Sequence, residues 1–180
     1  MAWTAPATYT SGNVLTAAMM NAISANLNET GPAKATTSNQ LLVSDAANSI
    51  FPRTVQGASI DTAETTASVA SFGDLATVGP AVTVVLSSAA IVFYGALISN
   101  STGGGGGQVS YGISGATTLA APNGHALTSR DGIAAEYSQW SKVNWQTGLN
   151  NGTHAIGLKY TTPTGGTATF QFRDILVIPF

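Results

Sequence analysis

The sequence predicts a mainly β chain whose principal domain is an antiparallel jelly-roll sandwich, and three observations carry that prediction. Residues 88–99 read S-A-A-I-V-F-Y-G-A-L-I-S, so on strand alternation Ile91, Phe93 and Leu97 point to one side and Val92, Tyr94 and Ile98 to the other. Both sides are apolar, whereas a half-buried strand alternates apolar with polar, so this strand is expected to be covered twice. The composition is the second observation: only 8% of residues are charged against roughly 25% in an ordinary soluble domain. The polar remainder is Thr, Ser, Asn and Gly, which suits pleated strands joined by tight turns. Third, from Thr65 onward the chain offers eight or nine strand-length segments with no helical pattern between them.

The elements follow in order. Residues 1–12 form an extended arm carrying Trp3 and Tyr9, and Thr16 can cap the one credible helix, A-A-M-M-N-A-I-S-A-N-L-N-E, which Gly31 and Pro32 stop. Met20, Ile23 and Leu27 fall on a single stripe. A helix of about 20 Å is too short to hold a coiled coil alone, so it is expected to lean on sister helices, the arm, a host surface or its own domain. Residues 1–32 are therefore read as an arm and helix that need a surface to lean on, with Trp3, Met20, Ile23 and Leu27 as the candidate contacts. Residues 33–64 change character, with apolar islands at Leu41-Leu42-Val43, Ile50-Phe51, Val55 and Ile60 separated by small polar residues. They read as a stalk wound among copies or as a linker.

Residues 65–180 make the knob. Strands are expected at 65–70, 72–77, 81–87, 89–99, 108–114, 116–120, 136–147, 153–161 and 167–179, with turns at Gly79-Pro80, Pro122-Asn123-Gly124, Asn150-Asn151-Gly152 and residues 163–166. Long strands with several long connections favour a jelly roll over an up-and-down barrel. In residues 153–160, Ile156, Leu158 and Tyr160 are expected inward and His154 and Lys159 outward. In the last segment Phe170 and Phe172 oppose Gln171 and Arg173, before I-L-V-I-P-F becomes apolar on both faces. The first and last of these doubly apolar segments are expected to lie side by side. Leaving their second face wet would forfeit several burial terms of about 1.5–3 kcal/mol each. Val92, Tyr94, Ile98, Leu176 and Ile178 are the candidates for a contact with sister chains, in a closed assembly.

Several functions are disfavoured. Six basic residues scattered from Lys34 to Arg173 make no phosphate-binding cluster, so nucleic acid is not an expected partner. No apolar run is long enough for a membrane span, and the start of the chain lacks the pattern of a signal peptide. Cysteine is absent, which removes disulfides and thiolate metal sites; no metal or cofactor is expected. His125 and His154 are distant in sequence from each other and from any carboxylate, and read as surface or turn residues. Asp131 and Glu136 flank a loop near Arg130; they could serve as a glycosidase pair but read as solvated charges. The run Thr102-Gly103-Gly104-Gly105-Gly106-Gly107-Gln108 lacks the Lys and Ser/Thr of a phosphate loop and reads as a flexible loop. Tyr137, Trp140 and Trp145, set among Asn and Gln, are candidates for gripping sugar rings by stacking and amide hydrogen bonds; packing is the alternative. Trp140 and Trp145 stand an odd number apart, so they cannot both face one core.

Two blocks carry a family resemblance. A-W-T-A-P followed by V-L-T-A-A-M-M-N-A-I-S-A-N-L resembles the N-terminal segment of bacteriophage minor tail and fibre-like proteins, through Trp3, Thr16, Ala17, Ala18, Met20, Asn21, Asn26 and Leu27. D-L-A-T-V-G-P-A-V-T-V at 74–84, I-S-N at 98–100, S-G-A-T-T at 114–118 and F-R-D-I-L-V-I-P at 172–179 are similar to the C-terminal knob of the same proteins, whose fold is like the C1q/tumour-necrosis-factor jelly roll. Q-L-L-V-S-D-A-A-N-S-I at 40–50 is like fibre shaft segments. The resemblance implies a homotrimer located on the virion, attached to other tail or capsid proteins by its N-terminus. As expectations, it is a short tail fibre or head fibre that adheres to host-surface glycans without enzymatic activity. A capsid-cementing protein and a glycan-cleaving spike are the alternatives.

Overall fold

The computed structural model describes residues 14, 16–28, 35–46, 49–130 and 132–180. Trp3, Tyr9, Gly31, Pro32 and Asp131 lie outside them. The chain divides into two compact units, one ending at Thr54 and the other spanning Val55–Pro179.

In the first unit, helix α1 spans Ala17–Asn28. The Met19 amide donates to the Thr16 hydroxyl oxygen at 3.3 Å, the capping bond that the sequence predicts. No residue of α1 is buried, and Met20 and Leu27 are exposed while Ile23 is half-buried. Strands β1 (Gln40–Ala46) and β2 (Ser49–Thr54) pair antiparallel, with Leu41 opposite Arg53 and Val43 opposite Phe51. The first two apolar islands expected in a stalk or linker, Leu41-Leu42-Val43 and Ile50-Phe51, thus pair with one another as a hairpin.

The second unit contains β3 (Gln56–Ile60), β4 (Glu64–Gly73), β5 (Ala81–Leu86), β6 (Ala90–Asn100), β7 (Gly106–Gly115), β8 (Leu127–Arg130), β9 (Ser138–Gln146) and β10 (Gly152–Pro179). All pairings are antiparallel. The first half of β10 lies between β7 and β5, giving a sheet ordered β8-β7-β10-β5. The second half lies between β6 and β4, giving β9-β6-β10-β4, and β3 extends this edge alongside Arg173 to Val177. Two four-stranded antiparallel sheets with this strand order, visited in this sequence, are those of a jelly roll. Their inner faces bury Leu86, Val92, Ile98, Tyr111, Ile156 and Phe170 in one core.

The segments expected at 153–161 and 167–179 are one long strand that passes from sheet to sheet, its register shifting between Thr162 and Thr167. Residues 116–120 contribute only a bridge, Leu119 to Ile113, and the strand expected at 72–77 ends at Gly73. Strands β3 and β8 are short and were not anticipated; β3 brings residues 56–60, expected in the stalk, into the sandwich. The glycine run is a loop only in its first half: Gly103 and Gly104 lie in an exposed turn, while Gly106 and Gly107 open β7. Gly105, Gly106 and Gly107 are buried, and a methyl on Gly106 would collide with the Ser129 carbonyl oxygen. His154, expected on the surface, shares the strand parity of Ile156 and Leu158 and is fully buried, with its Nδ1 3.1 Å from the Gly152 carbonyl oxygen. His125 stacks on Tyr111, with ring centroids 5.5 Å apart.

Candidate interaction surfaces

Strand alternation decides which residues of β6 and β10 can meet a partner. Even-numbered positions of β6 face inward: Val92, Tyr94 and Ile98 are fully buried in the chain's own core. Tyr94 packs edge-to-face on Tyr111 at 5.4 Å and donates its hydroxyl proton to the His125 carbonyl oxygen. Burial, reinforced by Tyr111, pushes its phenol pKa upward. These three residues are therefore core, not interface, and the expectation that they contact sister chains is corrected. The opposite side of the same strand, Ile91, Phe93 and Leu97, faces outward.

A bulge in β10 sets the parity of its last residues. The register shifts between Gln171 and Asp174, where Phe172 takes a positive φ of 47°. Phe172 is turned outward and Arg173 inward, the reverse of the simple alternation read from the sequence. Beyond the bulge Ile175 and Val177 are buried, and Leu176 faces out with Ile178 half-buried beside it.

The outward side chains align in rows across the sheet. Val143 of β9, Phe93 of β6, Leu176 of β10 and Gly57 of β3 are successive partners, and Trp145, Ile91 and Ile178 form the next row. Val143 and Trp145 are 55% exposed, Leu176 40% and Phe93 36%, so the face is apolar and wet over three strands. On the other side of the Phe93 row lie Ser141, Gly95, Asp174 and Ser59. Their small side chains leave a groove of about 420 Å³, walled by Phe93, Val143 and Leu176. Asp174 lines this groove, and burial raises its carboxyl above the usual 3.8.

The three aromatic candidates do not form one cluster. Trp145 belongs to the apolar rows, whereas Trp140 pairs with Ala96 and lies on the other side of β9. Both are exposed, as is Tyr137 just before the strand. The inward side of β9 is otherwise polar: Lys142 donates to the carbonyl oxygen of Ala126 at 3.1 Å, and Asn144 and Gln146 meet the Tyr111 hydroxyl. Among the described residues no three His, Asp or Glu side chains converge as a metal cage requires, and no helix is long and apolar enough to cross a membrane.

No protein-family model and no curated protein matches the sequence. Solved structures similar to this chain include that of the infectious bursal disease virus Gx strain, at 8% identity and a TM-score of 0.46, covering 75% of this chain and 36% of that one. The VP2 subviral particle of infectious bursal disease virus matches at 8% identity and a TM-score of 0.42, with the same coverage. Dimeric latent PorU from Porphyromonas gingivalis matches at 14% identity and a TM-score of 0.31, over 66% of this chain and 13% of that one. At TM-scores of this size the likenesses decide nothing, and the assignment of a jelly roll rests on the strand order.

Proposed function

We propose that this chain is a non-enzymatic structural component of a bacteriophage virion: a homotrimeric appendage, attached through its N-terminal region, that displays the jelly roll for adhesion to host-surface glycans. The observation that carries the reading is the apolar outer face of the β9-β6-β10-β3 side. Covering Phe93, Val143, Trp145 and Leu176 would gain a large part of about 1.5–3 kcal/mol per side chain, and a monomer leaves that gain unused. The phage-like wording of the sequence supplies the location and the three-fold count. Trp3, Met20, Ile23 and Leu27 are the attachment contacts in this reading, and Leu176 and Ile178 belong to the covered face. Three knobs per appendage and many appendages per particle turn weak glycan contacts into adhesion through effective concentration.

Sedimentation of the purified chain at micromolar concentration tests the assembly. A trimer is expected, and Val143→Glu, an exposed edge-strand change, should yield a folded monomer; a monomeric parent chain would overturn the reading. Incubation with host cell-wall polysaccharide tests the role. Binding without shortening of the polymer is expected, the absence of binding points to a cement protein, and shortened chains point to a glycan-cleaving spike.

A further inference from the structure

The outer face of the other sheet is built differently. On β5, β10 and β7 the outward positions in register are Ala81, Gly157 and Gly112, then Thr83, Ala155 and Ser114. The β4–β5 connection rises on one side and residues 119–121 on the other, enclosing a trough of about 490 Å³ that opens to solvent. That volume falls in the range of about 300–1,000 Å³ typical of small-ligand clefts. Phe72 and Leu119 line its walls. At one end the Lys159 ammonium donates to both carboxylate oxygens of Asp74 at 2.7 Å, and this pair is about one-third exposed, at 30% and 36%.

One glycine of the trough, Gly112, is not required by the fold, and a second, Gly73, beside the register shift that ends β4, has open space around it. The backbone at Gly112 is not left-handed, and a Cβ there would stand 3.5 Å from the Leu119 carbonyl oxygen and 3.7 Å from Lys159, ordinary contact distances. A Cβ at Gly73 would meet nothing within 4 Å. The β7–β10 register runs unbroken from Gly115 to Gln108, so Gly112 marks no bulge. Glycine inside a strand weakens it, and where neither a bulge nor a positive φ explains it, close approach of another group is the remaining reason. The strand here gives up side-chain packing and keeps an open floor.

We infer that this trough is a binding site for a neutral pyranose ring. The glycine and alanine part of its floor and the Phe72 and Leu119 walls are apolar and suit the C–H face of a sugar. The Lys159–Asp74 pair offers ammonium donors and carboxylate acceptors at one place, matching hydroxyl groups that each donate and accept. A charged ligand would have to break that pair, so charge complementarity selects an uncharged ring. The site lies on the sheet opposite the one that carries Phe93 and Leu176, so assembly through that face and sugar binding here do not compete for one surface. The identity of the ligand as a surface glycan rests on the adhesion reading above; binding of the ring does not.

The test is an amide NMR titration of the full chain with methyl glycosides of glucose, galactose and N-acetylglucosamine. Saturable shifts at Gly112, Ala155 and Gly157 with at least one of them are expected. Lys159→Met should weaken that binding about tenfold or more. Gly112→Leu should abolish it, and Gly73→Leu, which fills the wall where space is free, should do the same if Gly112→Leu fails to fold. Shifts with none of the three glycosides, shifts that persist in a folded filled variant, or shifts confined to Tyr137, Trp140 and Trp145 would overturn the assignment. So would floor shifts that track protein concentration, which would mean that a second copy occupies the trough. Wild-type and filled chains are also compared on cell-wall polysaccharide. Equal retention with no glycoside binding leaves adhesion standing and removes the trough from it; glycoside binding without retention does the reverse.

Discussion

At single positions, backbone conformation separates residues that the fold requires from those it tolerates. Phe172 holds φ at 47° with its ring 49% exposed, a conformation that costs a bulky side chain about 1–3 kcal/mol. Phe172→Gly removes that cost and surrenders only a half-wet ring. The expected result is a gain of about 1 kcal/mol in urea unfolding, and a loss would mean that the ring makes a contact worth more than the strain. The glycine run gives the opposite case. Gly106→Ala drives a methyl into the Ser129 backbone, which cannot yield as a side chain could, and should cost about 1–3 kcal/mol or more. Gly132→Ala is the matched control: nothing lies within 4 Å of its Cβ and its φ is not left-handed, so its midpoint should stay unchanged or rise slightly. A run of five glycines reads as slack in a sequence because composition does not report how closely neighbouring strands approach. Here that approach, with Asn100 donating to the Gly106 and Gly165 carbonyl oxygens at 3.1 and 3.2 Å, makes the second half of the run, residues 105–107, part of the packed end of the sandwich.

Among elements, the join between β10, β4 and the connection that follows β4 depends on a buried ion pair. The Arg173 guanidinium is fully buried, lies 5.6 Å over the Tyr160 ring, and donates to the Thr62 carbonyl oxygen at 3.2 Å and to Glu64 Oε1 at 3.1 Å. The other Glu64 oxygen accepts from the Thr77 amide at 2.9 Å. That amide, together with Arg173, holds the Glu64 carboxyl below its usual 4.5. Removing one partner strands a buried charge, so Glu64→Ala should cost about 3–5 kcal/mol, while Arg173→Met, which fills similar volume without charge, should cost less. Because the Glu64 pKa is depressed, its contribution is present above the unfolded-state value and lost as pH falls through the folded one. The difference between wild type and Glu64→Gln should therefore shrink in acid denaturation series, and a difference independent of pH would show that the carboxylate charge is irrelevant. This pair also marks the limit of what alternation can tell. The strands β5, β6, β7, β9 and both halves of β10 were legible because apolar side chains recur along them. The bulge that turns Arg173 inward and Leu176 outward was not, because one inserted residue reverses parity without changing composition. That reversal leaves Leu176 on the outer face, whereas Val92, Tyr94 and Ile98 lie in the core for a separate reason: for β6 the sequence shows two equally oily sides, and only the position of the second sheet distinguishes them. The trough proposed for a sugar left no periodic apolar signature, since much of its floor is glycine and alanine.

For the whole molecule, the chemistry of the outer face would make the proposed assembly sensitive to pH. Asp174 is the one acidic side chain in the groove beside Phe93, Val143 and Leu176; Ser59, Ser141, Gly57 and Gly95 share that ground, and the Lys142 ammonium is engaged elsewhere, by the Gly124 and Ala126 carbonyls. Burial already raises the Asp174 carboxyl in the isolated chain. A sister chain laid over this face removes more water and raises it further, because desolvation disfavours the ionised form. A group whose pKa rises on association takes up protons as the complex forms, so association is strongest below the free-chain value and weakens as pH climbs through the value in the complex. The proposed trimer should therefore dissociate more readily at neutral pH than in mild acid. Asp174→Asn keeps the shape and removes the charge, and it should tighten association at neutral pH and flatten the dependence. Sedimentation velocity of both chains from mild acid to neutral pH reads this directly. Parallel curves for the two proteins, or a parent assembly indifferent to pH, would place the contact between copies on some other surface of the jelly roll.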